Sequence, residues 1–356
     1  MTSAAERAGR GVVDVHAHLY PTAFLEALRS GAGDGVVEVE ESDTGWRLVV
    51  GKLPFVDLEP EFFDPKVRLA MMDASGVSTQ VLSLPPPMVY WASPERALEL
   101  CRIVNDSLAQ LAADHPGRFV ACCVVPLQAP ELAAEELRRA IEQLGCRMVL
   151  FGSNILGTDL DDASLAPVYE EIERLDVPIF NHPIIRAGLP CLRDHRLDVS
   201  LGFTLETTFA ASRMVLGGVF DRHPGLRICW SHLGGGLPFL ADRIGYLSRQ
   251  GRECFPGIDG IARDPFASYL RHFWYDTVVY SERNLAFGMS FAGADRLMFG
   301  TDTPFFSDTT DFLLTMIRRS PLVSDEDEEA ILQGNAIELL GLQAVPPVHT
   351  APDVPA

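Results

Sequence analysis

Val12-Val13-Asp14-Val15-His16-Ala17-His18 sets the architecture of the whole chain. The run is short, rich in β-branched residues and close to continuously apolar until its end, the pattern of a parallel strand covered on both faces. Side chains alternate along a strand, so His16 and His18 share one side, with Asp14 on that side one layer below. Seven further runs have the same character: Thr79–Leu84, Arg118–Pro126, Arg147–Gly152, Pro178–His182, Arg227–His232, Phe273–Val279 and Arg296–Thr301. Charged, helically periodic segments separate them, at Ser93–His115, Glu131–Leu144, Ala163–Leu175, Glu206–His223 and Phe239–Gln250. Strand alternating with helix implies βαβ units on a parallel sheet. Eight such units in this chain predict an α/β fold of the (β/α)8 TIM-barrel class.

Two punctuation marks support that register. His115-Pro116-Gly117 and His223-Pro224-Gly225 each close a helix and lead into a strand, so both histidines lie at the non-catalytic end and read as structural. Residues 31–60 break the rhythm. Alternation on either side of Asp43-Thr44-Gly45 predicts a small β-hairpin inserted after the first strand, overhanging the catalytic face. Residues 1–343 are expected to form a single barrel domain, and 344–356, proline-rich and aperiodic, a loose tail.

Composition narrows the function. Lys and Arg number 29 against 49 Asp and Glu, and the net charge of −20 disfavours nucleic acid or an anionic membrane surface as partner. An anionic ligand must therefore meet individually placed cations. No run approaches the ~20 apolar residues of a membrane span, and the opening MTSAAERAGRG lacks the apolar core of a signal peptide. Seven cysteines, none in CxxC spacing, point to free thiols in a reducing compartment, and the expected location is cytoplasmic.

The chemistry lies at strand ends. A lone HxH is a weak signal, and its bland reading is a pair of packing histidines. Three other strands also end in ligand-type residues, however: His182 in Asn181-His182-Pro183, His232 in Ser231-His232-Leu233 and Asp302 in Gly300-Thr301-Asp302. All stand where barrel enzymes assemble their sites. Four histidines and an aspartate converging there point to a metal site, since unpaired imidazole and carboxylate are costly to bury.

The stretches VDVHAHLYP, MVYWASPE, VVPLQAPELA, NHP, ETTFAASRMVLGGVFDRHPGLRICWSHLGGGLPFLADRI, DRLMFGTDTPF and GNAIELLGL keep this order from Val12 to Leu342. They resemble the amidohydrolase superfamily in its amidohydrolase-2 branch, and within it the metal-dependent decarboxylases of the aminocarboxymuconate-semialdehyde type. The resemblance implies a barrel, commonly a homodimer, that holds one divalent metal ion, Zn2+ first and Mn2+ as the alternative. It implies His16, His18, His182 and Asp302 as the metal ligands and His232 as the catalytic histidine outside the ligand set. Three imidazoles and a carboxylate leave a coordination position open, as a catalytic site requires. No lysine ends the fourth strand, where Phe151-Gly152-Ser153 stands, so a single metal is favoured over a carbamate-bridged pair. Asp302 and His232 are both candidates to deliver the proton that replaces CO2.

The chain departs from the resembled pattern near the substrate. An arginine expected after GK-x-x-F is replaced by Val56, and the aromatic after the strand-five HP by Ile184-Ile185-Arg186. Lys52 and Arg186 are the candidate replacements for a carboxylate clamp, Trp91 a candidate stacking surface, and Arg243 matches an arginine that in relatives reaches the partner subunit's site. Asp14, Glu206 and Asp276 are candidates for orienting the ligands from behind. The resulting expectation is a decarboxylase acting on a small unsaturated or aromatic carboxylic acid. The alternatives from the same metal-water chemistry are a hydrolase of an amide, ester or lactone, and a hydratase or cyclase.

Overall fold

The structure, a computed structural model of the chain, describes residues 11–42, 45–186, 190–192, 194–254 and 266–345. Eight strands form one parallel sheet: β1 Val13–His18, β2 Thr79–Ser83, β3 Phe119–Val124, β4 Met148–Gly152, β5 Ile179–His182, β6 Ile228–Trp230, β7 Phe273–Asp276 and β8 Leu297–Met298. Spatial order follows chain order, as right-handed βαβ crossovers around a barrel require. β8 is only two residues long, so the chain beyond it completes the closure against β1. Val15 N–H donates to Phe299 O at 2.9 Å, Asp302 N–H to His16 O at 2.8 Å, and His18 N–H to Thr303 O at 2.8 Å. The fold is a (β/α)8 barrel, with strands shorter than the apolar runs suggest. The sixth run stops at Trp230, and His232 follows in a turn with a left-handed backbone, φ 54°.

Helices Pro94–Asp114, Pro130–Glu142, Ala166–Leu175, Phe203–Leu216 and Leu237–Cys254 occupy the predicted intervals. The predicted Glu206–His223 helix instead starts earlier and breaks at Gly217-Gly218, where Gly218 takes φ 70°. Three further helices, Pro65–Ser75, Glu282–Ala292 and Thr310–Arg319, complete the outer layer. The first carries local signals: Asp64 accepts from Lys66 N–H, Pro65 opens the helix and Gly76 closes it in the left-handed region. Among the described residues no helix is long and apolar enough to cross a membrane.

The insertion holds the expected hairpin and adds a strand to it. Val37–Ser42, Gly45–Val50 and Leu53–Leu58 form an antiparallel three-stranded sheet, with Asp43 and Thr44 of the first turn outside the described residues. Gly51 and Lys52 both take positive φ, the tight turn that matches strand twist. Pro54 obscures the third strand in the sequence, because proline weakens a strand reading; it sits on an edge strand beside a register shift. Val37, Val39, Leu48 and Leu58 turn inward and join the main core, and Trp46 stacks on Phe63.

Helix and barrel are also joined through a buried polar residue. Asn105 Nδ2 donates to Val124 O at 2.9 Å and to Glu136 Oε1 at 2.7 Å, while its Oδ1 accepts from Val124 N–H at 2.8 Å. Asn105→Ala leaves these buried partners unmatched, so unfolding stability should fall by about 2–3 kcal/mol in denaturant titration. A loss below about 0.5 kcal/mol would mean the strand end re-pairs without this side chain.

Candidate metal centre

β1 and the strand ends facing it bring four side chains to one point. His16 Nε2 lies 3.0 Å from His18 Nε2, and Asp302 Oδ1 lies 3.2 Å from each of them. With one donor atom from His182, the set falls within 4.8 Å. All four residues are buried.

The outward-facing nitrogens show how the rings are oriented. His16 Nδ1 is 2.6 Å from Asp276 Oδ2, a carboxylate that can only accept when ionised. His18 Nδ1 is 2.9 Å from Ser83 Oγ, whose own hydroxyl reaches Ala17 O at 3.3 Å and so offers the ring an acceptor. His182 Nδ1 is 3.1 Å from Pro183 O. Each ring thus commits its Nδ1 proton to an acceptor behind it and turns the Nε2 lone pair toward the common centre. That arrangement belongs to metal-binding histidines, whose ring orientation is set by the partner of the second nitrogen.

The electrostatics favour positive charge at the same place. Burial works against protonation of His16, yet Asp302 and Asp276 outweigh it and push the imidazole up to about 10. Burial brings His18 down to about 4, and burial with the neighbouring imidazoles holds His182 well below its ordinary value. Burial also opposes ionisation of Asp302, but His16 and hydrogen bonds from the surrounding rings hold its carboxyl well below the usual range. Two carboxylates and three inward lone pairs suit a single divalent cation, which takes the place of the proton.

Asp276 does more than face His16. Its Oδ1 accepts from Leu233 N–H at 3.2 Å and from Val278 N–H at 3.0 Å, so one carboxylate spans a ring of the centre and the turn that carries His232. Gly300 packs between them: a Cβ there would lie 2.9 Å from both Asp276 Cβ and His16 Cβ. One layer below, Asp14 accepts from His16 N–H, Thr301 N–H, Thr301 Oγ1 and Gln80 Nε2. Burial nonetheless raises its carboxyl to about 6. The fully buried Arg68 donates to Gln80 Oε1 and to His18 O at 2.8 Å, so the backbone on both sides of the centre rests on one polar floor.

His232 stands at the edge of the set. Its Nε2 is 3.4 Å from Asp302 Oδ2, and its buried Nδ1 has no hydrogen-bond partner among the described residues. Both residues line a chamber of about 720 Å³ walled largely by apolar and aromatic side chains, among them Phe203, Leu233, Val278, Tyr280 and Phe306. Phe203 stacks on the His232 ring at 6.4 Å between centroids.

The other expected site residues lie apart from this chamber. Arg186 is committed to Glu206 at 2.9 Å and Asp159 at 3.0 Å, and Glu206 also accepts from Asn154 Nδ2. Lys52 is exposed at the tip of the inserted sheet, and Arg243 is exposed on helix Leu237–Cys254. Trp91 is half-buried and donates Nε1–H to Met88 O. None of these four lines the chamber. Ser83 and Arg68 behind the centre, and Arg196, Tyr280 and Asn284 along the chamber, are not among the expected residues. Ser83 alone carried a signal, as the residue that ends β2 beside His18.

Residues 13–342 match a family model described as amidohydrolase. A 2-amino-3-carboxymuconate-6-semialdehyde decarboxylase of Dictyostelium discoideum is 34% identical over 337 residues, covering 93% of this chain and 91% of that protein. A gamma-resorcylate decarboxylase of Rhizobium sp. is 34% identical over 262 residues, covering 67% of this chain and 76% of that one. Among solved structures, a dihydroxybenzoic acid decarboxylase of Polaromonas sp., with bound manganese and the inhibitor 2-nitroresorcinol, superposes with a TM-score of 0.75 at 28% identity. The match covers 93% of this chain and 97% of that one.

Asp276→Ala removes the acceptor that orients His16, so metal affinity measured by calorimetric titration should fall by about 10–100-fold with the fold retained. Unchanged affinity would mean that Asp276 serves only the barrel layer.

Proposed function

The chain belongs to the amidohydrolase family, and from that membership we propose that it is a metal-dependent, non-oxidative decarboxylase of a small aromatic or unsaturated carboxylic acid. The observation that carries this reading is the opening of a three-histidine, one-carboxylate centre, through His232 and Asp302, into an apolar chamber with aromatic walls. The decarboxylase relatives support the reaction type.

In this reading His16, His18, His182 and Asp302 hold one divalent ion, zinc or manganese. Nitrogen-rich donor sets of this kind are common for zinc, while the Polaromonas relative supports manganese. When bound, the ion supplies a Lewis acid that fixes the substrate's carboxylate or an adjacent oxygen and spreads developing negative charge. The aromatic walls orient a planar body and keep water from the reacting carbon. The carbon–carboxylate bond then breaks, its electron pair stays on carbon, and CO2 leaves. A proton delivered by His232 to that carbon completes the product. His232 suits this better than Asp302, because Asp302 Oδ1 is shared by His16 and His18 whereas His232 stands outside the ligand set and lines the chamber. Asp302 Oδ2 steadies the His232 ring. Asp14 and Asp276 act as positioning residues through His16, whereas Glu206, expected in the same role, holds Arg186 and Asn154 instead. Residues 1–343 are proposed to form one domain, working as a homodimer in the cytoplasm; the exposed Phe239, Tyr246 and Phe287 suit a covered surface.

Two variants separate the roles. His232→Asn should retain bound metal and lose at least about a thousandfold in turnover. Asp302→Ala should lose the metal itself, read by elemental analysis after dialysis. A His232→Asn protein that still turns over would remove the proton from that ring, and a fully metallated Asp302→Ala protein would remove Asp302 from the ligand set.

A further inference from the structure

One of the three ring-orienting acceptors at the metal centre differs from the other two. His16 and His18 turn their Nδ1 atoms to Asp276 and Ser83, side chains on strands β7 and β2. His182 turns its Nδ1 to Pro183 O at 3.1 Å, the first carbonyl of the segment that follows β5. Proline has no N–H to extend the sheet ladder, so neighbouring side chains must fix that segment. Ile184 N–H donates to Ser153 Oγ at 2.9 Å, and Asn154 Nδ2 donates to Ile184 O at 2.7 Å. Two residues further on, the Arg186 backbone N–H donates to Glu206 Oε1 at 3.3 Å. Its Nε–H is shared between the two carboxylate oxygens of Glu206, at 2.9 and 3.1 Å.

Glu206 lies in the first turn of helix Phe203–Leu216, and the same stretch of helix governs His232. The Phe203 ring stacks on His232 at 6.4 Å between centroids and meets His182 edge-on at 5.8 Å. Thr208 Oγ1 accepts from Gly236 N–H at 2.8 Å, and a Cβ at Gly235 would run into Thr204 O. Helix and the turn after His232 are thus in direct contact. Glu206 is buried, and its charge is met by Arg186 and by Asn154 Nδ2. Arg186 also pairs with Asp159 at 3.0 Å, and Asp159 in turn pairs at 3.0 Å with Arg213, further along the same helix. Both carboxylates that hold Arg186 therefore lead to one helix.

We infer that Arg186 and Glu206 are a positioning pair that couples His182 to His232. The pair touches neither ring. It ties the segment whose first carbonyl orients a metal ligand to the helix turn whose aromatic residue orients the proton donor, and so holds both rings in one geometry. The role of His232 as proton donor rests on the decarboxylase reading; the coupling of the two rings does not. A buried carboxylate is a strong anchor for this purpose, because removing its cation alone leaves an uncompensated charge. The guanidinium adds direction, since its planar donors fix the angle as well as the distance of the contact. The pair matters to turnover because a displacement of about 1 Å at the reacting groups costs on the order of a hundredfold in rate.

The test uses the full chain with Arg186→Met, Arg186→Lys, Glu206→Gln and the double variant Arg186→Met/Glu206→Gln. Two spectroscopic signals are followed beside thermal unfolding. One is the His232 ring resonance of the zinc-loaded, histidine-labelled chain, identified by its loss in His232→Asn. The other is the visible spectrum of the cobalt(II)-loaded chain, which reports the geometry of the ligand set. Arg186→Met should displace both signals and lower the unfolding temperature, and Arg186→Lys should restore part of each. The double variant leaves no buried charge unpaired, so most of the stability should return while both signals stay displaced. Signals unchanged in Arg186→Met, or signals that recover together with stability in the double variant, would overturn the inference and leave the pair a purely structural contact. CO2 release from a panel of aromatic and unsaturated carboxylic acids is recorded in parallel. On any acid the wild type turns over, kcat should fall by about 10–100-fold in Arg186→Met with KM nearly unchanged. No CO2 from the wild type would count against the decarboxylase reading, while the two spectra would still decide the coupling.

Discussion

The N–H of Asp302 donates to the carbonyl of His16 at 2.8 Å, and the rest of the site depends on that bond. It belongs to the seam where the chain after the two-residue β8 meets β1 and closes the barrel. A parallel barrel has no free edge once closed, and here closure and assembly of the centre are one event. The bond sets the only carboxylate of the set against the first two imidazoles, with Oδ1 3.2 Å from both Nε2 atoms. Three buried imidazoles would repel one another if all were charged and would lack partners if all were neutral. Asp302 in front and Asp276 behind make the position favourable for one compact positive charge.

That centre rests on polar structure built into the barrel floor. Asp14 gathers the N–H groups of His16 and Thr301, and Arg68 holds the carbonyl of His18, so the backbone next to each of three ligand-type residues is pinned from below. Asp276 extends the same control upward to the turn bearing His232. Buried charged groups add little to stability by themselves, but a fully connected set fixes geometry. The rigid part of the protein therefore supplies the reactive groups, and the loops above the strand ends supply the chamber wall. This division is general for barrel enzymes, which change substrate by changing loops.

The fold was legible in the sequence because eight apolar runs separated by helical periodicity admit few arrangements. His16, His18, His182 and Asp302 were legible for the same reason: each ends a strand run, and the barrel brings strand ends together. Less of the surroundings could be read. Pro54 concealed the third strand of the insertion, and a left-handed turn lifts His232 beyond the strand that points to it. Arg186 looked available for a substrate until Glu206 and Asp159, 20 and 27 residues away in the chain, were seen to hold it. Arg196 carried no motif at all, since its place in the chamber follows from a loop conformation set by tertiary contacts. Partners of this kind depend on register and loop geometry, which periodicity does not encode.

The most direct test of the account is mass spectrometry on the metal-loaded protein incubated with a panel of unsaturated, phenolic and amide-bearing carboxylic acids. The account predicts loss of CO2 from at least one panel member, with the remaining skeleton intact and one hydrogen gained at the vacated carbon. Gain of water with every carboxylate retained would contradict it, and would assign the same metal centre to hydrolysis or hydration.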